Sequence, residues 1–166
     1  ISDTVTVKAY KPITITAKTP SVTWYNIMVH YWGCGFEDGD AQTEWLLDTE
    51  EGGVSYKYFT YTFKTTGTAY FLMYCSEMDG GSGQTANITI TSDKCYNILT
   101  TLDANNKRAY EEMASCPTIY RIKSDTGSKI YYSNTSYQDG DTLSYFASSA
   151  GTLTLQKLGS DWENVK

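Results

Sequence analysis

The sequence predicts an all-β fold, an antiparallel β-sandwich of immunoglobulin-like type with one short helix and a small C-terminal β extension or second small β module. Three observations carry that prediction. Apolar and polar residues alternate with period two in short runs, turn signals recur between the runs, and the chain holds 15 Tyr and 4 Trp. Period-two alternation buries one face of a strand and leaves the other in water. Aromatic rings suit such half-buried surfaces.

The elements follow in order. V-T-V-K-A-Y (5–10) and I-T-I-T-A-K (13–18) read as strands, with Pro12 breaking them. Residues 27–32 form the next strand, followed by a Gly- and Asp-bearing loop, G-C-G-F-E-D-G-D (33–40). After Trp45, Y-K-Y-F-T-Y-T-F-K (56–64) alternates again, and T-A-Y-F-L-M-Y-C (68–75) is an apolar run. The loop D-G-G-S-G (79–83) leads into N-I-T-I-T (87–91). From 99 to 113, Leu99, Leu102, Ala109, Tyr110 and Met113 keep a helical stripe. Thr100 and Asp103 stand at capping-box spacing, and Pro117 ends the segment, so this is the expected helix. T-I-Y-R-I-K, K-I-Y-Y-S, T-L-S-Y-F and G-T-L-T-L-Q-K-L then return to strands. A soft boundary near Ile98 divides the chain into a module over 1–98 and an extension over 99–166, because the residues from 118 onward are few for a core of their own. W-Y-N-I at 24–27 and W-E-N-V at 162–165 form a short internal echo.

Composition removes several functions. A net charge of −6 argues against a nucleic-acid partner or an anionic membrane surface. The longest apolar runs are too short for a membrane-spanning helix, so no membrane insertion is expected, and the chain begins without a signal-peptide pattern. A single histidine and the absence of G-x-S-x-G leave a nucleophilic triad without parts. Asp38, Asp40, Glu44, Glu77 and Asp79 are carboxylates in polar segments, with no apolar pocket in view to raise a general acid. A small hydrolase is therefore the weakest of the functional readings. No metal and no cofactor is expected. Four cysteines allow three pairings. Cys95 with Cys116 would staple the ends of the helical segment and Cys34 with Cys75 would link two strand ends, while small apolar core thiols are the other reading.

The stretch N-I-M-V-H-Y-W-G-C-G (26–35) carries the chemistry. On a strand, Ile27, Val29 and Tyr31 share one face, and Met28, His30 and Trp32 share the other. Burying His30 without a partner would be costly, so Ile27, Val29 and Tyr31 turn inward and His30 and Trp32 meet the surface. Trp45 follows in T-E-W-L-L, and G-S-G-Q-T places Gln84 just before another strand.

The order of aromatic strand, Trp-bearing loop, Tyr-rich strand, apolar strand and G-S-G-Q-T resembles the starch-binding carbohydrate-binding modules of families 25 and 26, more closely family 26, over about residues 3–98. The resemblance implies a ligand-binding set of His30, Trp32, Trp45 and Gln84, although family 26 more often has tyrosine where His30 stands. It implies noncatalytic binding of starch, amylose, amylopectin or maltooligosaccharides by a module of a secreted or cell-surface bacterial protein, itself part of a larger multimodular chain. No enzymatic activity is expected. A structural or adhesive β-sandwich domain of a surface protein is the alternative. Tyr131, Tyr132, Tyr137 and Tyr145 offer material for a second aromatic platform, with packing as the simpler use.

Overall fold

Along I-T-I-T-A, the side chains of Ile13, Ile15 and Ala17 leave the backbone on one side and are almost fully buried. That strand is the centre of one sheet in the computed structural model, which describes residues 9–24, 26–78 and 81–117, and the backbone of 118–123, 129–132, 135–137, 142–147, 155–158 and 162–165. Residues 5–8 of the first predicted strand and Asp79 and Gly80 of the predicted glycine loop lie outside the described residues.

The described chain falls into two units, Ile1–Cys116 and Pro117–Lys166. In the first, β1 (Lys11–Pro20), β4 (Glu44–Glu51), β5 (Val54–Thr65), β8 (Lys94–Leu102) and β9 (Arg108–Glu112) form a sheet in the order β4-β5-β1-β8-β9. Its pairings are antiparallel except β1 with β8, which is parallel. A second, antiparallel sheet runs β3-β2-β6-β7, from β2 (Met28–Trp32), β3 (Gly39–Gln42), β6 (Ala69–Tyr74) and β7 (Ile88–Ile90). The inward residues of the two sheets share one core. Ile13, Ile15, Phe59, Phe63, Tyr96 and Ile98 come from the first sheet, and Val29, Phe71, Met73, Ile88 and Ile90 from the second. Each large side chain so buried contributes about 2 kcal/mol, and the unit is an all-β sandwich as its alternation predicts.

Pro12 does not break β1. It pairs with Lys64 of β5, while β8 joins the other side only from Ile15 onward. The amide of Thr14 points to that other side, onto the Asp93 carboxylate at 2.8 Å. The missing N–H of Pro12 therefore falls where no ladder needs it.

The expected helix over 99–113 is a β-hairpin, β8 to β9. Its turn explains the misreading. Asp103, placed by spacing in a capping box, uses Oδ1 to accept the amides of Asn105 and Lys107 at 2.8 and 2.9 Å. Its own amide donates to the Lys107 carbonyl, and Asn106 takes a φ of 56°. Asx-turn chemistry and a left-handed Asn thus win over helical periodicity. Leu102, part of the apparent stripe, is exposed.

Ile98 accordingly lies inside β8, and β8 and β9 are strands of the first sheet. Cys95 and Cys116 form a disulfide that closes this hairpin, not a helix. Cys34 and Cys75 are buried free thiols. Cys34 Sγ lies against the Tyr70 carbonyl at one end of β6 and Cys75 follows the other end, roughly 17 Å along the strand, too far for a bond.

In the second unit, β10 (Thr118–Lys123) pairs antiparallel with β13 (Thr142–Ala147). The strands β11 (Lys129–Tyr132), β12 (Thr135–Tyr137), β14 (Leu155–Leu158) and β15 (Trp162–Val165) form a sheet in the order β12-β11-β14-β15. W-E-N-V is thus itself a strand, whereas W-Y-N-I precedes β2, with Trp24 in the core. The side chains of Tyr131, Tyr132, Tyr137 and Tyr145 lie outside the described residues.

Candidate functional site

The outward face of the β3-β2-β6-β7 sheet gathers most of the residues that the sequence singles out. Strand register lays them in rows, because directly opposed residues point to the same side. Gln42, Met28 and Tyr74 make one row, Asp40, His30 and Leu72 the next, and Trp32 and Tyr70 the third. Thr89 continues the third row, and an isolated bridge from Tyr74 to Gln84 extends the first. Successive rows stand about 7 Å apart, so Trp32 and Gln84 occupy opposite ends of a face roughly 14 Å long. The reverse sides of these strands are core, with Val29 and Met73 fully buried.

His30 and Trp32 are neighbours on this face. Their ring centroids are 5.7 Å apart and the planes are tilted by 32°. The imidazole Nδ1 is 3.1 Å from Asp40 Oδ1, and the Tyr74 hydroxyl donates to the same oxygen at 3.0 Å. The His30 and Asp40 side chains remain 46% and 55% exposed, so this is an open surface cluster. Burial, and then the bond to Asp40, push the Tyr74 phenol above its ordinary value, which keeps it a neutral donor. Tyr70, opposite Trp32, is 37% exposed. At the rim, the Gln42 amide donates to the Asn26 side-chain carbonyl.

Gln84 is held by a compact local design. A short 3-10 turn, Gly81–Gly83, precedes it. A Cβ on Gly83 would stand 2.4 Å from the Met78 carbonyl oxygen, so only glycine lets the backbone approach this closely. The next residue, Thr85, is fastened to β6, its amide donating to the Met73 carbonyl and its hydroxyl accepting the Met73 amide. Arg108 of β9 completes the support. Its backbone amide donates to the Gln84 carbonyl at 2.8 Å, Nε to the Ser82 carbonyl at 3.1 Å, and Nη1 to the Thr100 carbonyl at 2.6 Å.

Trp45 does not join this face. At buried Thr43, whose hydroxyl and amide both donate to the Ile27 carbonyl, the chain leaves β3 and enters β4, the edge of the other sheet. Trp45 there is 50% exposed, with its indole N–H on Asp48 Oδ1 at 3.0 Å.

Asp40, Tyr70, Leu72, Tyr74 and Arg108 were not legible as site residues. Asp40 reads as part of a loop, yet G-D-A-Q forms β3, and the alternation of Asp40 with Gln42 was its available signal. Tyr70, Leu72 and Tyr74 alternate with buried Phe71 and Met73 inside a run that reads as wholly apolar.

A concavity of about 480 Å³ lies elsewhere in the unit, lined by Tyr31, Phe36, Glu37, Tyr61, Thr62 and Lys64. Burial, then a hydrogen bond with Tyr31, push the Tyr61 phenol up to about 12. Among the described residues, no three His, Cys, Asp or Glu side chains converge as a metal-ligand set.

No family model, curated protein or solved structure matches this chain. The fold therefore defines the first unit as an all-β sandwich with an aromatic and polar cluster on one sheet face.

Proposed function

We propose that the first unit binds starch or related α-1,4-glucan without catalysis, as a targeting module of a secreted or cell-surface bacterial protein. The tilted His30–Trp32 pair on an exposed sheet face is the observation that carries this reading. Each sugar of an α-1,4-glucan shows a C–H patch edged by hydroxyls, and the chain curves, so successive patches turn relative to one another. Aromatic rings tilted by 32° suit such a surface better than a flat one. The polar groups around the rings, His30, Asp40, Tyr74 and Gln84, are of the kind that bond hydroxyls. Their spread from Gln84 to Trp32 suits a short oligosaccharide more than a single sugar.

Removing about 100 Å² of apolar surface from water at each of two ring contacts, ring and sugar counted together, for Trp32 with His30 or Tyr70, contributes roughly 5 kcal/mol. That corresponds to a dissociation constant of a few tenths of a millimolar before ordering costs. Weak sites of this kind gain retention through avidity on a polymer.

The test is retention of the full chain on granular starch against cellulose. Wild type is expected on starch alone, and Trp32→Ala is expected to weaken binding by about fifty-fold, the loss of one ring. Equal retention of the variant would remove the site from this face. Retention on neither polymer would favour a structural or adhesive domain instead.

A further inference from the structure

We propose that Asp40 is the positioning residue of this face, and that it gives the face an acceptor character that selects uncharged, hydroxyl-rich ligands. The inference rests on the glycan-binding reading above. One oxygen, Asp40 Oδ1, lies 3.1 Å from His30 Nδ1 and 3.0 Å from the Tyr74 hydroxyl. A carboxylate only accepts, so both neighbours must donate to it. When the His30 ring is neutral, Nδ1 therefore carries the proton and Nε2 is left as a bare acceptor.

Tyr74 has its hydrogen committed in the same way, which leaves its oxygen lone pairs for a partner. Asp40 Oδ2 is a further acceptor. A ligand approaching this side of Trp32 thus meets acceptors and must bring donors. Sugar hydroxyls do so, whereas a carboxylated or sulfated glycan would place anions against Asp40. Both members of the His30–Asp40 pair are about half exposed, so the contact is worth little to folding. Its consequence is orientation of the ring and choice of tautomer.

His30 is the only histidine in the chain, so its imidazole nitrogens can be observed without assignment. The experiment records their ¹⁵N spectra, at a pH where the shifts themselves report the neutral ring, on wild type, Asp40→Ala and Asp40→Asn. Each protein is then titrated with maltoheptaose by calorimetry, with Trp32→Ala as the site control. Wild type should show the proton on Nδ1. Asp40→Ala should shift it toward Nε2 and weaken maltoheptaose binding about tenfold, the loss of about one oriented hydrogen bond. Asp40→Asn keeps an accepting oxygen and should restore the Nδ1 tautomer and most of the affinity.

An unchanged tautomer in Asp40→Ala overturns the proposal. So does unchanged affinity in that variant when Trp32→Ala abolishes binding, although the glycan site then stands. If wild type does not bind maltoheptaose, the glycan reading and the selectivity fall, and the spectra still decide whether Asp40 holds the ring.

Discussion

Replacing Arg108 by alanine should destabilise the first unit by about 3 kcal/mol and loosen the segment that presents Gln84. The guanidinium is largely buried and donates to two carbonyls, those of Ser82 and Thr100. Hydrogen bonds from charged groups contribute about 1.5–3 kcal/mol each. Thr100 is exposed, so its freed carbonyl recovers water and the lower end of the range applies. The backbone bond from Arg108 N to the Gln84 carbonyl survives truncation, which confines the loss to the side chain. For a unit of this size, about 3 kcal/mol lowers the melting temperature by about 10 °C. Urea unfolding of the full chain, followed by tryptophan emission, measures the difference, with Trp24 as a fully buried reporter. Arg108→Lys keeps the charge but not the planar fork, and should recover about half of the loss. A cost below about 1 kcal/mol for the alanine variant, or a lysine variant as stable as wild type, would refute the assignment of Arg108 as the anchor of this segment.

Gly83→Ala should cost about 2 kcal/mol or more, because the added Cβ meets the Met78 carbonyl oxygen at 2.4 Å. Gly52→Ala meets nothing within 4 Å and carries only the penalty of its φ of 58°, about 1 kcal/mol, so paired thermal melts rank the two. Removing the Cys95–Cys116 bond, which spans 21 residues, should cost about 3 kcal/mol in a denaturant titration. In the unreduced native protein, Cys34 and Cys75 should resist a thiol reagent until unfolding exposes them. At Glu51, burial alone would raise the carboxyl pKa. Hydrogen bonds from Lys18 and Tyr58 and the Lys18 charge outweigh it, and the net value lies below the ordinary 4.5. A lowered folded value means stability that is present above 4.5 and lost as pH falls through the folded value. Glu51 is 39% exposed, which keeps the effect below about 1 kcal/mol. Glu51→Gln should flatten the acid limb of a stability–pH curve, and an unchanged limb would contradict this pairing.

The strands were legible where one face is buried and the other is not. In β1, β2 and β5 the burial of Ile13, Val29 and Phe63 follows directly from alternation. The hairpin of β8 and β9 was not legible, because its decisive signal is one Asp side chain competing for turn amides, and Leu102 and Tyr110 fall on a helical stripe by coincidence. Pro12 misled for a related reason. A proline disrupts a sheet only if its missing amide faces a neighbour, and strand order decides that.

The candidate site divides along the same line. Local period determined that His30 and Trp32 share a face and that Val29 and Tyr31 oppose them, since successive residues of any strand alternate. The glycines of the 79–83 loop likewise announced a turn leading into an extended segment. Only the tertiary structure decided that Asp40, Tyr70 and Tyr74 stand beside His30 and Trp32, and that Trp45 belongs to the other sheet. Those neighbours come from strands distant in sequence, and their register is set by long-range packing of the two inner faces, which no local pattern encodes.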